Sequence, residues 1–372
     1  MRRLGIGVVG AGRAGRAHLE AIRRLGGMAE IVAVAIRDDR RAAEIQESFA
    51  IPRRYADHRE LLQDPRVEVV HDCAPNAAHF AIDRDAIEAG RHVLSEKPLG
   101  LDSAETRALC ELARSRGVAA AVNFPYRHHV LAQHLRGMIE AGELGRIYAV
   151  TGAYLQDWLL LDTDYDWRVE ASLGGRSRAL ADIGSHWLDL ATFLIGSGVA
   201  EVFADLATFL PTRLRPGPRR GEAAPIRVDT EDYASLLLRF EGGARGAFSV
   251  SQASAGHKLG LWIQIDGSLA SARWEQSRAD ELWIGRRDRP NEILVAHPSL
   301  LNARGRACAS GGGGPRERWP DAQKNMIAAF YRGILDATEP DCASFAAAHR
   351  VQAVIDAALD SCRAGSWRAV GP

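Results

Sequence analysis

Cysteine is scarce in this sequence and poorly placed for chemistry. Five in 372 residues (Cys73, Cys110, Cys308, Cys342 and Cys362) make an odd, scattered set with no Cys-x-x-Cys pair. That usage excludes a disulfide framework and a cysteine zinc site, and it suits a reducing cytoplasm. Long apolar runs are missing too: none approaches the roughly 18 residues of a membrane-spanning helix. The opening Met1-Arg2-Arg3-Leu4 has the twin arginines of an export signal, but Gly7, Gly10 and Gly12 follow at once and leave no apolar signal core. There is no surplus charge, with Lys plus Arg and Asp plus Glu at 47 each, so no overall field would hold a nucleic acid. The clusters His128-His129 and His71-Asp72-Cys73 lack metal-ligand spacing, and no metal is expected.

What is present is an ordinary globular composition, 47% hydrophobic and 25% charged, in a chain too long for one core, which predicts two domains. Short apolar runs at 4–9, 31–36, 67–73, 92–95 and 118–122 alternate with helical periodicity at 13–25, 41–49, 77–89 and 102–116. This alternation predicts a doubly wound parallel sheet of Rossmann type over residues 1–126. Beyond it the order changes. A helix at 131–141, a strand region at 145–156 and a helix at 184–195 precede strand segments near 199–209, 232–240, 244–252, 261–266, 268–274 and 281–284. Residues 127–372 therefore read as an α+β domain with a large, mostly antiparallel sheet. Helices at 322–336 and 345–363 close the chain and can return to the first domain. Pro211–Pro225 and Ala303–Pro320, the latter with four consecutive glycines, read as loops.

Gly10-Ala11-Gly12-Arg13-Ala14-Gly15 follows the first strand and opens the first helix. In that setting Gly10 permits a tight turn, Gly12 lets backbone approach a pyrophosphate, and Gly15 brings the helix close to the sheet. A nicotinamide dinucleotide is the expected ligand. The position about 20 residues on, where a carboxylate commonly holds the ribose of NAD, is Ile36, followed by Arg37 and Asp38. No acid at 36 repels a 2′-phosphate and Arg37 can bind one, while Asp38 can bind a ribose. NAD and NADP both remain open.

Ser95-Glu96-Lys97-Pro98 ends a parallel strand at the carboxyl edge, where doubly wound folds place ligands. Asp182, His186 and Asp189 are spaced to share one helix face. Alone, that spacing equally suits a helix capped by Asp182 or Ser185 with a buried structural His186. Together, the glycine turn, Glu96-Lys97-Pro98 and, 85 residues after Lys97, Asp182-x-x-x-His186 resemble the glucose–fructose oxidoreductase / inositol dehydrogenase family, Gfo/Idh/MocA. Ala74-Pro75-Asn76-Ala77-Ala78-His79 resembles that family's Thr-Pro-Asn-x-x-His loop beside the cofactor. Ala74 stands for the usual threonine there, as Ile36 does for a common aspartate. The resemblance spans essentially the whole chain. It implies an NAD(P)-dependent dehydrogenase acting on CH–OH groups. His186 would exchange the hydroxyl proton, Lys97 would hold the reacting oxygen, and Asp182 would orient His186 or bind a neighbouring hydroxyl. Ala74, Pro75, Asn76, His79, Glu96 and Lys97 would then line the cofactor.

Substrate contacts are expected from Asn123, Tyr126 and Arg127, from Asp157 and Trp158, and from Trp167 and Arg168. Aromatic faces beside carboxylates and amides suit a polyhydroxylated ring, hence a sugar, sugar derivative or inositol. Trp158 and Trp167 read equally well as core or interface residues. Arg127 and Arg168 also admit an acidic or phosphorylated substrate. A glycoside hydrolase or lyase that retains its cofactor and oxidises only transiently would use the same first step. A non-catalytic dinucleotide sensor would not need both Lys97 and His186. The open sheet of the second domain predicts a homodimer or homotetramer formed through it.

Overall fold

The computed structural model describes residues 2–217, 219, 221–310 and 318–371. In chain order the elements begin β1 (Leu4–Val9), α1 (Arg13–Arg23), β2 (Ala29–Ala35), α2 (Asp39–Ser48), β3 (Arg53–Tyr55), α3 (His58–Leu62), β4 (Val69–Asp72), α4 (Asn76–Glu88), β5 (His92–Ser95), α5 (Ser103–Arg116) and β6 (Ala120–Val122). There follow α6 (Val130–Glu140), β7 (Ile147–Leu155), the short α7 (Ala171–Gly174), α8 (Ser185–Ile195), β8 (Val199–Ala207), β9 (Thr212–Pro216), β10 (Ala223–Arg227), β11 (Tyr233–Phe240), β12 (Arg245–Ser251), β13 (Gly260–Gly267) and β14 (Ser271–Glu275). The rest are β15 (Glu281–Gly285), β16 (Glu292–Val295), α9 (Ala303–Cys308), α10 (Trp319–Leu335), α11 (Phe345–Ala364) and β17 (Arg368–Ala369).

The chain divides into two units, Met1–His128 with Trp319–His349, and His129–Arg318 with Arg350–Pro372. A single boundary at 126/127 does not describe this division. The physical reason is the apolar face of α10, whose Met326, Ile327, Phe330 and Tyr331 complete the core built from β1, α1, β2 and β4. Six parallel strands in the order β3-β2-β1-β4-β5-β6 form the sheet of the first unit. All six residues of β1 are buried, as expected of a strand covered on both faces. β3 and α3 lie in a stretch where the sequence suggested no element; three residues such as Arg53–Tyr55 are too few to show a period.

The second unit carries nine strands in the order β16-β15-β14-β13-β7-β12-β11-β8-β17. β7 and β12 run parallel, and every other neighbouring pair is antiparallel. β11 and β13 alternate buried and less buried residues, so one face is covered and the other is not. Trp187 of α8 covers the buried face, stacked on Phe248 with ring centroids 4.4 Å apart and donating its indole N–H to Trp262 O. Two loop expectations need correction. The stretch expected as a loop over 211–225 instead holds β9 and the start of β10, which pair as an antiparallel hairpin with the buried Arg213 opposite Ile226 and Leu214 opposite Pro225. Within 303–320, Ala303–Cys308 is helical, capped by the Asn302 side chain, and α10 starts at Trp319. The four glycines, 311–314, lie outside the described residues.

Candidate active site

The site of the first unit begins where β1 hands over to α1. Gly10 takes φ +82°, and a Cβ there would lie 2.7 Å from Cys73 O; a Cβ on Gly15 would lie 2.2 Å from Gly10 O. The protein itself requires both glycines. Gly12 is different: its φ of −66° suits any residue, and a Cβ would meet nothing within 4 Å. It is the N-cap of α1 and makes no side-chain cap bond, so the first turn presents its backbone N–H groups and partial positive charge to open space. A pyrophosphate needs that space and that charge, and the residues present fit a dinucleotide. Arg13 is exposed beside the turn and Ala14 half-buried. Arg41 reaches back from α2 to donate from Nη2 to Ala11 O at 2.9 Å, a brace that no motif announced. Ile36 is a core residue, Arg37 is exposed, and Asp38 caps α2 by accepting the Arg41 N–H at 2.8 Å.

The loop after β4 is tied to the Lys97 turn. Pro75 is the N-cap of α4, Asn76 opens that helix, and Asp72 Oδ1 accepts the Ala74 N–H at 2.9 Å. His79 is buried and bridges Ala74 O and Pro98 O, each at 2.8 Å. Lys97 itself is half-buried, with its backbone N–H on Glu96 Oε2 at 3.2 Å.

Behind Glu96 runs a chain of buried polar side chains. Asn123 Nδ2 donates to Glu96 Oε1 at 2.7 Å, and His18 Nε2 meets the same oxygen at 3.1 Å. His18 Nδ1 lies 2.8 Å from His71 Nδ1, and Tyr331 of α10 is 2.9 Å from His71 Nε2. Burial works to raise the Glu96 pKa, but the hydrogen bond and charge of His18, with Lys97 and Asn123, outweigh it and hold the pKa at about 2. Burial, then the neighbouring His18, pushes His71 well below 6.5. For uncharged imidazoles the carboxylate fixes every proton, because it can only accept: His18 donates from Nε2, His71 donates from Nδ1 to His18, and Tyr331 O–H donates to His71. The Asn123 amide, expected on a substrate, is spent on Glu96. Tyr126 is buried in the short helical turn Pro125–His128, and Arg127 is half-buried there.

In the second unit the helix carrying Asp182 and His186 starts wide. Leu180–Gly184 forms a π-helical turn that runs directly into α8. Neither Asp182 nor Ser185 caps it. Glu231 does so from outside, its Oε1 accepting the N–H groups of Arg178 and Leu180, each at 2.9 Å, and the Ser177 hydroxyl at 2.8 Å. Asp182 and His186 are each 9% exposed. Asp182 Oδ1 pairs with Arg168 Nε at 3.2 Å, and Oδ2 accepts from Gln252 Nε2 at 2.7 Å. Arg168 also donates to Asp166 at 3.0 Å and stacks over Trp167, its guanidinium carbon 4.3 Å from the ring centre. Tyr154 lies beside His186, ring centroids 6.3 Å apart.

Arg168 thus links Trp167 to Asp182, and His186, four residues after Asp182, lies beside Tyr154. Asp157 is turned elsewhere: it ion-pairs with Lys258 at 2.6 Å and accepts the Gly256 N–H, and the Lys258 hydrogen bond leads in lowering its pKa. Trp158 is part-exposed and donates to Gln156 Oε1 at 2.7 Å. The sequence reading did not single out Gln252, Arg178, Arg213, Glu231 or Asp232. Their one available signal was a Glu-Asp pair directly before an apolar strand, where the pattern leaves charge with nowhere to go but a partner. Among the described residues no group of three His, Cys, Asp or Glu is placed to hold a metal ion, and no helix is long and apolar enough to cross a membrane.

A six-stranded parallel sheet with a dinucleotide turn, in a chain whose second unit is built on a large open sheet, is the architecture of a nicotinamide-dependent oxidoreductase. Residues 4–124 match the family model for oxidoreductases with an NAD-binding Rossmann fold, and residues 132–273 match the Gfo/Idh/MocA C-terminal domain. Levoglucosan dehydrogenase of Pseudarthrobacter phenanthrenivorans is 31% identical over 302 residues, 76% of each chain. Trans-1,2-dihydrobenzene-1,2-diol dehydrogenase of Sus scrofa is 28% identical over 72% of this chain and 69% of its own. Among solved structures, levoglucosan dehydrogenase with NADH and L-sorbose superposes with TM-score 0.92 at 26% identity, covering both chains completely. An inositol dehydrogenase homologue from Azotobacter vinelandii with NAD+ gives 0.88 at 26% identity, over 99% of this chain and 97% of its own. The chain belongs to the Gfo/Idh/MocA family; it is an NAD-binding dehydrogenase acting on CH–OH groups.

Proposed function

We propose that this dehydrogenase oxidises a hydroxyl carbon of a sugar, sugar derivative or inositol, reversibly, with His186 as general acid/base. The observation that supports the reading is that Asp182 and His186 lie four residues apart on one buried helical segment, with Arg168 on Asp182 and Trp167 stacked against Arg168. The bound dinucleotide supplies the hydride acceptor. His186 takes the hydroxyl proton, a task suited to an imidazole near neutral pH. Lys97 hydrogen-bonds the reacting oxygen and stabilises the charge that grows on it. Asp182 orients His186 or receives a neighbouring hydroxyl, and Trp167 offers a ring face to substrate C–H groups. Levoglucosan and a dihydrodiol, for which two relatives are named, carry ring hydroxyls like those of this class. A second copy of the chain pairs through the less buried face of the nine-stranded sheet, where Trp283, Ile293 and Arg273 border a groove.

The test is turnover of levoglucosan, myo-inositol and D-glucose with NAD and with NADP, followed by nicotinamide absorbance. One of these polyols reduces the dinucleotide, and His186→Ala and Lys97→Ala each lower kcat/KM about 10³-fold. Either variant within tenfold of the parent removes that residue from the chemistry. Release of nitrophenol from an added 4-nitrophenyl glucoside without net nicotinamide reduction identifies a hydrolase or lyase instead. A light-scattering mass of one chain at micromolar concentration refutes the sheet-mediated pairing.

A further inference from the structure

Asp182 is held by a residue that is itself held. Gln252 follows β12 and is fully buried, with its backbone N–H on Asp232 O at 3.0 Å. An amide side chain has a donor end and an acceptor end, and only its neighbours decide which points where. Here they decide it twice. Arg178 Nη1, a group that can only donate, meets Gln252 Oε1 at 3.0 Å. The nitrogen end must then face Asp182 Oδ2, at 2.7 Å, where a carboxylate can only accept. Arg178 is fixed in turn. It donates to Asp232 Oδ1 and, from Nε at 3.3 Å, to Thr230, and it is 1% exposed. Asp232 also takes Arg213 Nη2 at 2.7 Å and the Leu210 N–H at 3.0 Å. Arg213 also donates from Nη1 to the carbonyls of Leu161 and Asp164 and from Nη2 to that of Leu159. A rigid, buried charge cluster therefore ends in a single N–H aimed at Asp182.

We propose that Gln252 is a positioning residue of the reaction: locked in one orientation by Arg178, its amide fixes the Asp182 carboxylate four residues ahead of His186. The proposal rests on the catalytic reading of Asp182 and His186 given above. With Arg168 on Oδ1 and Gln252 on Oδ2, the carboxylate cannot rotate without breaking a charge-assisted hydrogen bond. Arg168 is part-exposed and close to Trp167, whereas Gln252 has no exposure at all, so the constant half of this grip is Gln252.

An isosteric exchange tests it. Gln252→Glu keeps the acceptor that Arg178 needs but sets an oxygen against Asp182 Oδ2. Two buried carboxyl oxygens at that distance share a proton or repel. The charged groups around the position are Arg178 and Asp232 on one side, Asp182 with Arg168 and His186 on the other, and Glu231 at the helix start. At acid pH the shared proton restores a donor to Asp182; as pH rises the proton leaves and the grip is lost. Gln252→Glu is therefore expected to approach parental kcat at the acid end of the activity range. It should fall about tenfold or more below the parent at the alkaline end, with KM for NAD unchanged. Gln252→Leu, which has no donor at any pH, lowers kcat by about the same factor throughout. The assays use the whole chain, NAD and whichever of levoglucosan, myo-inositol and D-glucose is oxidised fastest, with folding followed by circular dichroism at each pH. Asp182→Asn runs in parallel. If Asp182→Asn is impaired while both Gln252 variants stay within twofold of the parent at every pH, Gln252 is not a positioning residue. If Asp182→Asn is itself unimpaired, the catalytic reading of Asp182 fails first. Should Gln252→Leu not fold, the pH profile of Gln252→Glu decides alone, and a flat ratio to the parent overturns the proposal.

Discussion

Glu96 in the first unit and Asp182 in the second are both carboxylates gripped from behind, but by donors of different kinds. Glu96 is met by an amide and an imidazole, and the chain behind it ends in a second imidazole and a phenol. No fixed positive charge stands in that chain. Asp182 is met by an amide whose orientation is set by a buried guanidinium, and that guanidinium shares Asp232 with another. Imidazoles exchange protons near neutrality and guanidiniums do not. Near neutrality, therefore, the first grip should yield to pH and the second should not.

The largest effect is expected from the guanidinium side. Arg178→Met leaves Asp232 with one guanidinium, uncouples Gln252 and removes the Thr230 contact. Breaking a buried ion pair from one side costs about 3 kcal/mol. Urea unfolding at neutral pH measures this directly. A loss below about 1 kcal/mol would show that Arg213 alone satisfies Asp232, and the contrast between the two networks would lose its stronger half.

A second effect separates the networks by pH. His71 is held well below 6.5 by burial and by His18, so it is neutral in the folded protein and must be charged against that environment in acid. A depressed pKa contributes stability that is present above 6.5 and is lost as pH falls below it. Glu96, at about 2 against an ordinary 4.5, adds a second loss that begins below 4.5. Asp232 falls in that lower window too, since burial raises its pKa but Arg178 lowers it further. The upper window thus belongs to histidines, and His71→Asn should flatten the fall in urea midpoint between about pH 7 and pH 5. Burial also lowers His92 and His134, so the slope shrinks without vanishing. An unchanged slope would mean that His71 does not titrate with unfolding.

How much of this could be read from the chain differs between the same two regions. The parallel sheet and the glycine turn were legible because each follows from a local rule, a period and a tight turn, whereas Lys97, Asp182 and His186 were singled out by a resemblance of motifs. The grips were not. His18 sits in α1, His71 in β4, Glu96 after β5 and Tyr331 in α10, and only the packed fold brings them into line. Gln252 and Arg178 are 74 positions apart. Asn123, expected on a substrate from its amide type, donates from Nδ2 to Glu96, a contact no local pattern announced. Ile36 and Asp38 were weighed as cofactor contacts, and folding assigns one to the core and the other to a helix cap. α10 joins the first unit, a return the sequence left open, because four apolar residues on one face of this late helix complete an early core.

The smallest effect probes the direction of the proton chain in the first unit. Tyr331 is fully buried and its hydroxyl has moved well above an ordinary phenol pKa, first through burial and then through Cys73, so it stays protonated and can donate. Tyr331→Phe removes that donor and leaves His71 Nε2 facing a ring edge. A neutral hydrogen bond of this kind is worth about 1 kcal/mol, and urea unfolding should register that loss with little change in turnover. The tautomer gives the finer reading. With His18 uncharged, His71 carries its proton on Nδ1, pointing toward His18 and, through it, Glu96; nitrogen NMR shifts of the ring distinguish this from the opposite arrangement. The same tautomer should persist in Tyr331→Phe, because the demand that sets it comes from the carboxylate end. If His71 instead carries the proton on Nε2 in the parent, the chain runs from His18 outward. His18 would then be the charged member, and both units would hold their carboxylates with cations after all.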